Sequence, residues 1–142
     1  MNGQLIGYLA LAACMVFCGI GSAIGLYKAG SAASAVIGED AKKFSKVFIL
    51  AVLPATQGIY GFVIGIIGIG NISAGWSLFA ATLPMTIVGF ATAIFQGLTS
   101  VSAILAVAKS DSVGAKMMLF PAMVETYAIL SLVISIMLMG NL

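Results

Sequence analysis

With 142 residues, 62% of them hydrophobic, 7% charged and a mean hydropathy of +1.21, the chain has too little polar surface to dissolve as a globule, and it reads as an integral membrane protein. Its net charge is only +2, every cation is a lysine, and there is no histidine. That excludes the dense basic surface a nucleic-acid partner needs, and removes the usual acid-base tools of an enzyme.

Four apolar stretches of spanning length follow in chain order, roughly Gln4 to Ile37, Phe44 to Gly70, Trp76 to Ala108 and Ala115 to Gly140. The predicted fold is an all-α membrane protein of four transmembrane helices arranged as two hairpins. The first polar junction, Gly38-Glu39-Asp40-Ala41-Lys42-Lys43, offers a C-cap glycine and an acidic N-cap for the next helix, and Lys109-Ser110-Asp111-Ser112 repeats that chemistry in the second hairpin. Between the hairpins, Asn71-Ile72-Ser73-Ala74-Gly75 is a turn without charge.

Nine of the ten charged side chains lie in or beside the two within-hairpin loops: Lys28, Glu39, Asp40, Lys42, Lys43, Lys46, Lys109, Asp111 and Lys116. The positive-inside rule makes that side cytoplasmic and puts both termini on the outer side, with Tyr8 and Trp76 as anchors at the outer interface. The helices entering these loops run about 33 residues, about 50 Å, and should project beyond a hydrocarbon core of about 30 Å.

The two halves repeat at an offset of 70 residues. Phe62-Val63-Ile64-Gly65-Ile66 falls on Leu132-Val133-Ile134-Ser135-Ile136, Gly70-Asn71 on Gly140-Asn141, Lys46 on Lys116 and Thr56 on Thr126. One hairpin has been duplicated in parallel, giving a first hairpin over residues 1–72 and a second over 73–142. At this offset Ala55 pairs with Glu125, so only the second hairpin carries a carboxylate there.

Glu125 is the exception to the charge pattern, a lone acid within the apolar run from Met117 to Met139. A charge at the centre of such a helix costs about 2.5–3.5 kcal/mol on insertion scales, so it is tolerated where it faces a partner, a cavity or an ion. Counted from the cytoplasmic helix ends, Gln57, Gln96 and Glu125 all lie at a depth of about 17–21 Å. Thr56 shares that level, and Tyr60 falls on the same helix face as Gln57. Taken singly, a membrane Thr or Gln reads as a structural hydrogen bonder and Tyr60 as a packed aromatic. Their shared level with a carboxylate makes them a set, an oxygen cage for a hard monovalent cation, to which a backbone carbonyl freed near Pro54 or Pro121 could add.

The first helix of each hairpin also carries small residues on one face, Gly21, Gly25, Ala29 and Ala32 in one and Gly89, Ala93, Gly97 and Ser100 in the other. Such faces let helices approach closely in lipid. One reading is a contact between hairpins of one protomer; the reading favoured by two equivalent stripes on long helices is the inner wall of a ring of copies. Other features read as background. Leu11-Ala12-Ala13-Cys14 resembles a lipoprotein cleavage box but lacks a preceding basic residue. Cys14 and Cys18 read as small buried hydrophobes rather than metal ligands. Lys28 reads as a snorkelling side chain, with a lipid phosphate inside a ring as the sharper alternative.

The segments Leu53-Pro54-Ala55-Thr56-Gln57-Gly58-Ile59-Tyr60-Gly61, Phe95-Gln96-Gly97 and Met123-Val124-Glu125-Thr126-Tyr127-Ala128 closely resemble the duplicated membrane-rotor proteolipid of prokaryotic V-type ATPases, known as subunit K. The resemblance implies a homo-oligomeric rotor ring in the prokaryotic cell membrane that carries one ion per protomer and leaves ATP chemistry to other subunits. In the sodium-binding versions the ligands match the Leu53 carbonyl, the Thr56 hydroxyl, the Gln57 and Gln96 amides and the Glu125 carboxylate, with Tyr60 hydrogen-bonded to the carboxylate. It further implies a stator membrane subunit with an essential Arg, central-stalk subunits and surrounding lipids as partners. Na⁺ is the expected ion, because proton-carrying relatives keep the carboxylate without the full set of Gln and Thr ligands. A proton rotor using the same Glu125 is the nearest alternative, and a small four-helix multidrug transporter a more distant one.

Overall fold

The computed structural model describes residues 2–142, apart from the side chains of Asp111 and Ala115. The chain is helical almost throughout. Helix α1 runs Gly3–Glu39, α2 Phe44–Val52, α3 Thr56–Gly68, α4 Trp76–Lys109 and α5 Leu119–Met139, and short 3₁₀ segments join them. Counting α2 and α3 as one interrupted span, four helical segments are long and apolar enough to cross a membrane. No strand occurs among the described residues.

Each interruption has a local cause. Proline lacks an N–H and its ring crowds the carbonyl four residues back, so the second span breaks at the 3₁₀ turn Leu53–Ala55 around Pro54. Pro84 is carried inside α4, whereas Pro121 sits in the first turn of α5, where its missing N–H costs little. The last span opens with a longer 3₁₀ segment, Asp111–Met118, so its α-helix begins four residues later than the hydropathy pattern suggests. At the first loop, α1 continues through Gly38 and stops at Glu39, so Gly38 does not act as the C-cap. The break falls instead on Asp40, whose backbone is extended and whose Oδ1 accepts the Lys42 amide at 3.0 Å. The side chain of Asp111, its counterpart in the second loop, lies outside the described residues. Gly75 ends the middle turn with φ 57°, a backbone suited to glycine, and a Cβ added there would lie 3.1 Å from the Gly3 carbonyl oxygen at the start of α1.

Helices α1 and α4 pack along each other as the central pair, with α3 against α1 and α5 against α4. Their separation is set by the small residues. A Cβ built on Gly97 would lie 2.4 Å from the Cα of Gly25; one on Gly25 would lie 2.4 Å from the Ala93 carbonyl oxygen and 2.7 Å from the Cβ of Pro54. On Gly21 it would meet the Phe90 carbonyl oxygen at 2.6 Å, and on Gly89 the Cys18 sulfur at 2.8 Å. The sequence reading assigns Gly21, Gly25, Gly89 and Gly97 to contacts between copies. The structure turns these faces toward each other within one chain, where the missing side chains let α1 and α4 close to backbone distance.

Two apolar clusters fill the bundle. One, toward the termini, gathers Leu11, Cys14, Cys18, Ile64, Leu78, Met85 and Met139; the other, toward the loops, gathers Val36, Val47, Leu50, Ile104 and Val107. The two within-hairpin loops lie at the same end of the bundle, where Lys43 Nζ donates to the Ala108 carbonyl at 2.6 Å, near the C-terminal end of α4.

The seam between α1 and α4 predicts a contrast between two glycines. Gly25→Ala forces a methyl into the backbone of α4 and should lower the thermal unfolding midpoint of the detergent-solubilised protein by several degrees. Gly65→Ala, where a Cβ meets nothing within 4 Å, should leave it unchanged or slightly raised. Equal midpoints for the two variants would refute the seam.

Candidate ion site

The polar set sits between the two apolar clusters, where α3, α4 and α5 converge. The 3₁₀ turn at Pro54 leads directly into the first turn of α3, from which Gln57 reaches α4. Thr56 Oγ1 lies 3.1 Å from the Leu53 carbonyl oxygen, to which it donates, and 3.2 Å from Gln57 Oε1. Gln57 Nε2 donates to Gln96 Oε1 at 2.7 Å. Gln96 Nε2 in turn donates to Glu125 Oε2 at 3.2 Å and to the Pro121 carbonyl at 3.1 Å. The Tyr60 hydroxyl closes the series on the other carboxylate oxygen, Glu125 Oε1, at 2.8 Å.

Six residues from both hairpins thus form one connected hydrogen-bond path: Leu53, Thr56, Gln57, Gln96, Glu125 and Tyr60. Gln57 and Gln96 are fully buried, whereas Glu125 and Tyr60 are half-buried at the protomer surface. Two long amides with no solvent contact are costly in an apolar interior unless each end is bonded, and here both are. Glu125 receives its hydrogen bonds from neutral groups, a phenol and an amide. Such donors disperse the carboxylate charge without cancelling it, which leaves room for one balancing positive charge. The acceptors of the path are all oxygens, of the kind that suits a hard monovalent cation, and no group of three His, Cys, Asp or Glu side chains capable of holding a metal occurs among the described residues.

The second hairpin does not repeat the arrangement. Thr126, the partner of Thr56 in the internal repeat, is exposed and its hydroxyl bonds the Met123 carbonyl of its own helix. Cys14 and Cys18 are fully buried in the apolar cluster near the termini, the Cys18 thiol directed to the Met85 carbonyl at 3.4 Å. Lys28 is exposed on α1. Sequence reasoning missed a residue beside the site: Ser22, on α1, whose Oγ accepts the Gly58 amide at 2.8 Å. Nothing in the sequence singles it out, since it lies within the small-residue run of α1.

These features define a class, a duplicated helical hairpin with one carboxylate at mid-span. The chain belongs to the ATP synthase C-subunit family, which it matches twice, over residues 9–68 and 79–138. Both ends of the second match lie 70 residues beyond those of the first, the offset of the internal repeat. Among curated proteins, the chain is 39% identical to the V-type sodium ATPase subunit K of Enterococcus hirae, over 99% of this chain and 94% of that one. It is 34% identical to the A-type ATP synthase subunit K of Methanocaldococcus jannaschii over 95% of its own length, spanning 62% of that longer relative.

Gln96 holds the path together, so its removal should be felt beyond the site. Gln96→Ala strands the Gln57 amide and withdraws a donor from Glu125 and Pro121; at about 1–3 kcal/mol per stranded buried group it should clearly lower the thermal midpoint. Thr126→Ala, which removes only a bond within its own helix, should change stability by less than about 0.5 kcal/mol. A thermal melt of both purified variants makes the comparison.

Proposed function

We propose that the chain is the ion-carrying rotor-ring protein of a V/A-type rotary ATPase or ATP synthase, and that it carries Na⁺ at Glu125. Membership of the ATP synthase C-subunit family and similarity over nearly the whole chain to a protein named as a sodium ATPase subunit K support the assignment. The observation that carries the choice of ion is the hydrogen-bond path from Leu53 to Glu125. A proton would need the carboxylate alone, whereas Thr56, Gln57 and Gln96 bring neutral oxygens to a place where an apolar side chain would otherwise be more stable.

In this reading the Leu53 carbonyl, Thr56 hydroxyl, Gln57 and Gln96 amide oxygens and Glu125 carboxylate ligate Na⁺, while Tyr60 orients the carboxylate. The ion neutralises Glu125, which then passes the lipid face of the ring at low cost. Beside the stator, an arginine on another chain competes for the carboxylate and releases the ion; this chain has no arginine of its own. The half-buried position of Glu125 suits both requirements, being reachable from outside the protomer and held from within. Each ion crossing is driven or opposed by about 2.3 kcal/mol per 100 mV.

The rotor protein itself performs no ATP chemistry. Its lysine-bearing loops face the cytoplasm, where central-stalk subunits dock, and its termini face outward in the cell membrane. With the Gly25 and Gly97 faces occupied inside the protomer, copies meet in the ring through other surfaces of the bundle.

Glu125→Gln preserves shape but removes the charge that balances a cation. It should abolish ion-coupled ATPase activity in the assembled complex, by at least about 100-fold, with the ring still recovered intact. Sodium-dependent transport at the normal rate by this variant would rule out the rotor assignment.

A further inference from the structure

We propose that Ser22 is a positioning residue for the ion site, acting from α1 as the cap of a helix to which it does not belong. The inference rests on the reading of the Leu53-to-Glu125 path as that site.

Helix α3 follows directly on the 3₁₀ turn at Pro54, and its first amide, that of Thr56, bonds back to the Leu53 carbonyl in that turn. The change from 3₁₀ to α pairing at this junction makes an acceptor from outside the helix useful to the next amides. The residue at the N-cap position, Ala55, offers no side-chain oxygen, and α3 has no cap bond of its own. The Gly58 amide, third in the helix, instead donates to Ser22 Oγ at 2.8 Å. That is the bond an N-cap serine makes to the third residue of its own helix, supplied here from a neighbouring one. Ser22 is only 5% exposed, so no water substitutes easily for its oxygen.

The approach is close because both sides permit it. A Cβ on Gly58 would lie 3.2 Å from Ser22 Oγ and 3.3 Å from Ser22 Cβ, tighter than ordinary contacts. The turn that Ser22 fixes carries Thr56 and Gln57, with Tyr60 one turn from Thr56, three of the six members of the path. Ser22 touches none of the proposed ligand atoms. It sets the angle at which α3 leaves the Pro54 break, and so the reach of Gln57 toward Gln96 and of Tyr60 toward Glu125.

The same chemistry recurs away from the site and provides the control. Beside Pro84, the Met85 amide donates to Ser135 Oγ at 3.1 Å, joining α4 to α5 within the apolar cluster near the termini. Ser135 is fully buried and Met85 is no member of the path. A serine-to-amide bond that serves only the fold should behave like this one.

The test uses purified assembled rings of wild type, Ser22→Ala, Gly58→Ala and Ser135→Ala. Two quantities are read: Na⁺ affinity by radioisotope binding, and the rate of carbodiimide labelling of Glu125 in Na⁺-free buffer. Ser22→Ala should weaken Na⁺ binding about five- to tenfold and accelerate labelling. Gly58→Ala, which pushes the same two helices apart, should act in the same direction, and Ser135→Ala should match wild type in both. Wild-type affinity and labelling rate in Ser22→Ala overturn the inference, as does a Ser135→Ala ring as impaired as Ser22→Ala. A wild-type ring that binds no Na⁺ contradicts the sodium reading instead, and the labelling rates of the variants then decide the role of Ser22 whichever cation is carried.

Discussion

An ionised carboxylate is among the least welcome groups in hydrocarbon, and Glu125 is held there by two neutral donors, the Tyr60 hydroxyl and the Gln96 amide. Much of the surrounding structure serves that pair of bonds. Gln96 is held by Gln57, Gln57 Oε1 lies beside the Thr56 hydroxyl, and the turn that presents both exists because Pro54 breaks the second span. Neutral donors leave the negative charge in place, which is what the proposed carrier role requires: in that reading a lysine at this point would fill the site permanently and exclude the cargo. In the proposed reading the half-exposed carboxylate passes the lipid face together with its cation.

Duplication lets two hairpins build one hydrogen-bond path. Tyr60 and Gln57 come from the first hairpin, Gln96 and Glu125 from the second, so neither repeat contains the whole path. Where the second repeat has Glu125 the first has Ala55, and where the first has Thr56 bonded into the path the second has Thr126 bonded to its own helix. The halves have diverged from equal units into one that bears the carboxylate with Gln96 and one that supplies Thr56, Gln57 and Tyr60. Contact between them is secured by the close seam of α1 and α4, at Gly25 and Gly97, and by Lys43 reaching the carbonyl of Ala108 across the loops.

The spans, their pairing into hairpins and the level of the polar residues could be read from the sequence because each depends on local properties. A 20-residue apolar run, a proline and a lysine cluster mean nearly the same thing in any membrane protein. Equal depth along separate helices is enough to group Gln57, Gln96 and Glu125 before any packing is known. What depended on rotation about helix axes was less accessible. The stripe through Gly21 and Gly25 is equally suited to a neighbouring copy or to the other hairpin, and only the packed bundle shows it turned inward against Ala93 and Gly97. Ser22 escaped notice for the same reason, since an amide that needs an acceptor is visible in sequence near Pro54, but the helix that supplies it is not. Helix ends shifted too: Gly75 turns to positive φ and ends its segment, whereas Gly38 remains within the helix.

Whether Glu125 and its neutral neighbours form a sodium site is tested most directly by competition at the carboxylate. Purified rings treated with a carbodiimide should label at Glu125, and Na⁺ should slow that labelling in a saturable way at a pH where protons compete weakly, whereas K⁺ at the same ionic strength should not. Labelling of Glu125 that proceeds at one rate whatever the Na⁺ concentration, at every pH tried, would contradict the sodium site and leave a proton carrier whose amides serve only to hold its helices together.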